Sequence, residues 1–214
     1  MIETVIIDYG SGNLHSALKS FQKVANLNKK GNVTVTADPK LIRYADKIVL
    51  PGVGSFNDCL KGLKANNDLY YNLTERVLKE GVPFLGICVG LQLLADYGHE
   101  NVANTPGLGW LGGEVKKIYP KNKYIKIPHM GWNSLIFDRE HPLTKKLTSE
   151  DDMYFVHSYH LQLKNLNNRI AYVNYSGEIT AIIAKDNICG TQFHPEKSQK
   201  TGQTFIENFM NWSP

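Results

Sequence analysis

A chain of 214 residues makes one ordinary domain or two small ones, and 42% apolar with 21% charged residues excludes a disordered chain, a coiled coil and a collagen-like repeat. The net charge of +4 is spread evenly, with 11 basic and 10 acidic side chains in residues 1–107 and 13 and 10 in residues 108–214, so nothing compels a nucleic-acid partner. The longest apolar stretch, Val82–Leu91, is about half a bilayer span and contains Pro83, Gly86 and Gly90; with no basic leader and three cysteines, no membrane partner and a reducing cytoplasm are expected.

In chain order, Thr4–Asp8 is a β-branched run ended by Gly10-Ser11-Gly12-Asn13. Leu14–Val24 carries apolar residues at 14, 17, 18, 21 and 24, a helical stripe. Val33–Thr36 and Lys47–Leu50 read as strands, the second stopped by Pro51-Gly52, and helical patterns follow at Phe56–Leu63 and Tyr70–Leu78. Pro83–Ile87 is a near-continuous apolar strand, as expected of one covered on both faces, and runs into a helix over Val89–Tyr97. This alternation predicts a parallel sheet with right-handed crossovers and helices on both sides.

The second half changes character. Glu114–Tyr119, Tyr124–Pro128, Asn133–Phe137 and Met153–Leu163 are extended segments without helices between them. Ile170–Tyr175, Ile179–Lys185 and Ile188–Phe193 continue the run, Asp186-Asn187 reads as a hairpin turn, and Thr201–Trp212 is a closing helix. The expected fold class is α/β: a central parallel-then-mixed sheet flanked by helices, in a single domain over residues 1–214. Lys116, Lys117, Lys121, Lys123 and Lys126, with Tyr119 and Tyr124 among them, read as a solvated hairpin, or alternatively as a surface steering a partner or a phosphorylated substrate.

Gly86-Ile87-Cys88-Val89-Gly90 is the most informative stretch. A buried strand stops, a helix starts, and a thiol sits at the joint with glycine on both sides, the elbow that presents a nucleophile. The helix start would favour thiolate, and the Val89 N–H could donate to a developing oxyanion. The competing reading is a small apolar cysteine in a buried strand. Gln92 lies one turn up on the nucleophile's side, while Leu91, Leu94 and Ala95 take the core face.

A cysteine attacking an amide needs a base and acid, usually histidine. In Phe193-His194-Pro195-Glu196, proline forces His194 into extended geometry, and Glu196, two residues on, falls beside it to orient the ring. Leu50-Pro51-Gly52-Val53-Gly54-Ser55 sits at a strand's carboxyl end, where open α/β sheets bind ligands, and could supply a second oxyanion N–H. The first loop, Gly10-x-Gly12-x-x-His15, lacks the third glycine of a dinucleotide fingerprint, so no cofactor is expected there. No metal-ligand spacing occurs among the cysteines and seven histidines.

Together these stretches resemble the class I, or triad, glutamine amidotransferases. Ile7 through Asn13, Pro51-Gly52-Val53-Gly54, Pro128-His129-Met130-Gly131-Trp132-Asn133, Tyr154 through Tyr159 and Gln192 through Ser198 are similar to one branch, the glutaminase subunits of imidazole glycerol phosphate synthase in histidine biosynthesis. The resemblance runs over nearly the whole chain. It implies Cys88 as nucleophile, His194 as base and acid, and Glu196 as orienter. It implies oxyanion positions at Gly52, Val53 and Val89, and contacts to bound glutamine at Gln92, Glu100, His157, Ser158 and Tyr159. Ala95-Asp96-Tyr97-Gly98-His99, just before Glu100, departs from the family's acidic stretch.

Asn13, His129, Met130, Trp132, Asn133, Tyr154 and Lys197 would form the face that docks the partner. The implied substrate is L-glutamine, without cofactor. The implied partner is a (β/α)₈-barrel cyclase that takes ammonia through an internal tunnel and forms imidazole glycerol phosphate and AICAR from PRFAR. A paralogue feeding ammonia to another synthase shares these residues, and a non-catalytic binding subunit is the remaining alternative. Trp110 receives no function, and Cys59 and Cys189 read as packing residues.

Overall fold

The computed structural model describes residues 2–29, 31–102 and 104–214. Strand β1 (Glu3–Ile7) leads to helix α1 (Leu14–Asn28), β2 (Asn32–Thr36), the short helix α2 (Pro39–Arg43) and β3 (Lys47–Gly52). Helices α3 (Phe56–Ala65) and α4 (Asn67–Thr74) follow, then a π-turn over Glu75–Lys79, strand β4 (Phe84–Cys88) and helix α5 (Val89–Gln92). The second half holds β5 (Tyr97–Gly98), β6 (Thr105–Pro106), β7 (Gly113–Lys117), β8 (His129–Ser134) and β9 (Ile136–Phe137). It continues with β10 (Asp152–His157), β11 (Tyr159–Leu163), β12 (Arg169–Asn174), β13 (Glu178–Lys185), β14 (Ile188–Thr191) and helix α6 (Gln199–Asn211).

The main sheet has the order β2-β1-β3-β4-β14-β13-β12-β9. It is parallel from β2 through β14 and antiparallel beyond, which is the expected parallel-then-mixed pattern. The expectation of one sheet is corrected: β8 and β10 form a two-stranded ribbon, and β11-β7-β5-β6 form a third sheet. Met153–Leu163, read as one extended segment, is therefore two strands broken at Ser158, whose carbonyl accepts from Ile118 N at 2.8 Å.

Three further differences have local causes. The helix expected over Val89–Tyr97 ends at Gln92, because the Leu93, Leu94 and Ala95 carbonyls accept from Leu108, Leu111 and Gly109 N–H groups. Gly107 makes this approach feasible, since a Cβ there would lie 2.2 Å from Ala95 O. Tyr124–Pro128 forms turns and bends, not a strand; Tyr175 Oη donates to Lys126 O at 2.5 Å, and Ser176 Oγ donates to Tyr119 O at 2.7 Å. Helix α2 was not anticipated. Asp38 caps it by accepting from Lys40 N at 2.9 Å, with Pro39 at its first turn.

One apolar cluster fills the space between sheet and helices, with β1, β3 and β4 almost wholly buried. Phe155, Phe193 and Phe205 run edge-to-face across it at 5.7 and 5.6 Å. Trp110 joins this packing by an edge contact with Phe84 at 5.4 Å, which accounts for it without a functional role. The cysteines Cys59, Cys88 and Cys189 are buried and free. Among the described residues no helix is long and apolar enough to cross a membrane.

Candidate active site

Cys88 ends β4 with φ 55° and ψ −108°. Backbone in this half of the map costs a non-glycine residue on the order of 1–3 kcal/mol and persists only where the surroundings over-determine it. Here they do. A Cβ on Gly86 would lie 2.6 Å from Gly90 O, and one on Gly90 would lie 1.9 Å from Leu50 O. Only glycine on both sides lets α5 turn back across β3 and leave the thiol at the turn. Since α5 spans four residues, its dipole is small, and electrostatic support for the sulfur comes from a side chain instead of from the helix start.

His194 is that support. Its Nδ1 lies 2.8 Å from Glu196 Oε1, with both side chains 2% exposed, so the carboxylate accepts the Nδ1 proton and leaves Nε2 for the thiol. Nε2 is buried and has no hydrogen-bond partner among the described residues. Burial by itself would lower the His194 pKa, but the Cys88 sulfur and then Glu196 outweigh it and push it up to about 10. At neutral pH the pair is therefore imidazolium facing sulfur. The ring is anchored by its backbone: His194 N donates to Tyr154 O at 3.0 Å, and Ser198 Oγ donates to His194 O at 2.7 Å.

Cys88, Val89, His194, Val53, Gly54, Gln92, Glu100, His157, Ser158, Tyr159 and Lys197 surround one cavity of about 340 Å³, at the small end of ligand pockets. A larger cavity of about 740 Å³ lies by Phe137–Leu147 and contains no nucleophile. Gln92 is buried, and its Nε2 donates to Tyr159 O at 2.8 Å and to Gln192 Oε1 at 3.1 Å. Glu100 lines the cavity while its Oε2 accepts from Phe56 N at 2.7 Å, at the start of α3. His157 has both ring nitrogens engaged. Nδ1 donates to Tyr159 O at 2.9 Å, which obliges Nε2 to accept from His129 Nδ1 at 3.0 Å. Burial, then the neighbouring His129, lowers its pKa to about 3, so His157 is a neutral wall of the cavity.

The loop after β3, read as an oxyanion loop, is held from behind. Tyr9 Oη donates to Pro51 O at 2.7 Å, and a Cβ on Gly52 would lie 2.7 Å from Gly90 N. Ser11 Oγ donates to Val53 O at 2.6 Å and accepts from Val53 N at 3.3 Å. The Val53 N–H is thus turned to Ser11, whereas Val89 N–H stands at a helix start where no intrahelical acceptor exists.

The residues assigned to docking separate into two groups. Met130 and Trp132 are 63% and 47% exposed, and Trp132 meets Tyr154 at 5.8 Å, with Lys197 Nζ 5.8 Å from the Tyr154 ring. Asn13 caps α1, which packs near the Pro195–Lys197 turn. His129 is instead buried, stacked between Tyr175 at 3.9 Å and Phe155 at 4.8 Å, and its Nε2 accepts from Asn133 Nδ2 at 3.3 Å. Three residues beside the site carried no assignment in the sequence: Tyr9, Ser11 and Gln192. Gln192 lies two before His194, but residues 192–193 bend instead of continuing β14, so strand alternation did not assign it. Nothing local marks Ser11, because its partner is 42 residues away.

The family model for class-I glutamine amidotransferases matches residues 5–212. The chain is 49% identical to imidazole glycerol phosphate synthase subunit HisH of Ruegeria pomeroyi, over 99% of each chain. It is 52% identical to the subunit of that name from Bradyrhizobium diazoefficiens, over 98% of each. Among solved structures it is similar to a glutamine amidotransferase from Thermotoga maritima, with TM-score 0.65 and 19% identity over 98% of this chain and 83% of that one. The glutaminase domain of Trypanosoma brucei CTPS with bound acivicin matches with TM-score 0.66 and 16% identity, over 100% and 96%. At these identities the two structures bear on the fold alone.

Proposed function

The chain belongs to the class-I glutamine amidotransferase family, and from that premise we propose that Cys88, His194 and Glu196 are its catalytic triad within a single glutaminase domain over residues 1–214. The protein hydrolyses L-glutamine to glutamate and ammonia as the glutaminase subunit of imidazole glycerol phosphate synthase, in histidine biosynthesis. The observation that carries the residue assignment is the strained Cys88 sharing a small cavity with His194, whose ring is oriented by Glu196 at 2.8 Å.

The Cys88 thiolate attacks the side-chain amide carbon of glutamine, and the carbonyl electron pair moves onto oxygen. Val89 N–H donates to that oxyanion, and Val53 N–H would join it after the Val53 peptide turns away from Ser11. His194 gives its Nε2 proton to the leaving nitrogen, which departs as ammonia and leaves a glutamyl thioester. The neutral ring then takes a proton from water as the oxygen attacks the thioester carbon. Sulfur leaves, and glutamate and the thiolate–imidazolium pair are restored. His157 has no ring nitrogen to spare for these steps and serves as a wall.

The partner in this reading is a (β/α)₈-barrel cyclase, docked on Met130, Trp132, Tyr154 and Lys197 with Asn13 and Asn133 at the margin. Support comes from the exposed aromatic and cationic groups gathered beside the cavity. A cytoplasmic location accords with three free cysteines. Cys88→Ala in the complex is expected to abolish glutamine-dependent synthesis while ammonia-dependent synthesis by the cyclase persists. Glutamine hydrolysis near the wild-type rate in this variant would sink the assignment.

A further inference from the structure

We propose that Gln192 is a further residue of the glutaminase reaction, whose side-chain amide donates to the Cys88 sulfur and whose orientation is set by Gln92; this rests on the glutaminase reading above. Gln192 is fully buried just beyond β14, and its Nε2 lies 3.7 Å from Cys88 Sγ. It approaches the sulfur from protein interior that neither His194 nor the oxyanion loop occupies.

The two ends of an amide have nearly the same shape, so partners must decide which one faces the thiol. They do so without ambiguity here. The Tyr159 carbonyl can only accept, so Gln92 must present its NH₂ there, at 2.8 Å. The same NH₂ reaches Gln192 Oε1 at 3.1 Å, and Oε1 is an acceptor. Gln192 is left with its NH₂ toward the sulfur. The reverse orientation would set Gln92 donor against Gln192 donor and a carbonyl oxygen against a thiolate. His157 Nδ1 also donates to the Tyr159 carbonyl, at 2.9 Å, which pins the anchor of the relay.

An N–H aimed at sulfur favours S⁻ over S–H, because the hydrogen bond to the charged form is the stronger. The contact acts before bond formation. It enlarges the thiolate fraction and holds the sulfur against rotation, and it weakens as negative charge passes from sulfur to the carbonyl oxygen of glutamine. Gln192 is not among the cavity-lining residues, so its loss falls on kcat and not on KM.

The test uses the full chain, with the cyclase partner and its ribonucleotide substrate for kinetics. In Gln192→Met and Gln192→Glu, the pH dependence of Cys88 alkylation by iodoacetamide is followed on the Cys88 peptide by mass spectrometry, which separates it from Cys59 and Cys189. A hydrogen bond to a charged group is worth about one pH unit or somewhat more. Gln192→Met is therefore expected to move the profile up by about one unit and lower kcat about tenfold with KM within about twofold; Gln192→Glu moves the profile further. Gln92→Met, which frees the Gln192 amide to turn, gives a smaller shift in the same direction and serves if the Gln192 variants fail to fold. A profile that overlays wild type, or an unshifted profile with raised KM, overturns the proposal. A wild-type complex that releases no glutamate overturns the glutaminase reading instead, while the alkylation profiles still report on the contact.

Discussion

His194 carries the electrostatics of the site. Its raised pKa means that the folded protein prefers the protonated ring. Below the unfolded value of about 6.5 both states hold the proton and the full stabilisation is present; it is lost as pH rises from there through about 10. In the proposed mechanism the same proton expels ammonia, so glutamine hydrolysis is expected to fall as pH passes about 10. Glu196→Gln removes a carboxylate 2.8 Å away, so the alkaline limb should move to lower pH and kcat should drop by about 10²–10⁴-fold. A pH–rate profile of the complex checks both, and an unmoved limb would remove Glu196 from the triad. The proposed triad stands out in the sequence because Cys88 between two glycines and His194-Pro195-Glu196 are each contiguous. Gln192 was harder to see, since its meaning depends on Gln92, 100 residues earlier.

At the scale of elements, two loops at the carboxyl ends of neighbouring parallel strands meet. The loop after β1 brings Ser11 onto Val53 in the loop after β3. One hydroxyl binds both the N–H and the C=O of the same residue and so holds the peptide in the orientation that withholds its N–H from the cavity. Ser11→Ala removes this hold. At about 1 kcal/mol for a hydrogen bond, glutamine hydrolysis by the isolated subunit is expected to rise about fivefold. Basal glutamate release by the isolated subunit reads this directly, and an unchanged basal rate argues that Ser11 does not restrain the Val53 peptide. Strands β1 to β4 and helices α1 and α3 followed from periodicity, whereas α2 did not. The early end of α5 did not, because the groups that stop it are the N–H donors of residues 108, 109 and 111.

On the scale of the molecule, the Cys88 cavity lies where the main sheet, the β8–β10 ribbon and the third sheet converge. Ser158 is the junction: β10 runs into it from the ribbon, and β11 leaves it into the sheet of β7. The ribbon presents Met130 and Trp132 outward and His129 inward, by alternation along one strand. A hydrogen-bonded path thus leads from Asn133 through His129 and His157 to the Tyr159 carbonyl beside Gln92. Trp132→Asp is expected to weaken assembly with the cyclase by about 2 kcal/mol or more, as loss of an aromatic anchor does. Titration calorimetry of the two purified subunits measures it, and unchanged affinity would move the docking face elsewhere.

The sequence alone determined the α/β class, the parallel half of the sheet, the cysteine at its elbow and the histidine beside a carboxylate. Each of these is encoded by neighbours: alternation, apolar runs, glycine spacing, a proline. Only the tertiary structure decided that the second half divides into three sheets, that α5 is one turn long, that Val53 N–H is turned to Ser11, and that Gln192 stands behind the thiol. The end of α5, the Val53 turn and the place of Gln192 depend on hydrogen bonds between groups 14 to 104 residues apart, and local pattern carries no information about which distant donor will reach a given acceptor.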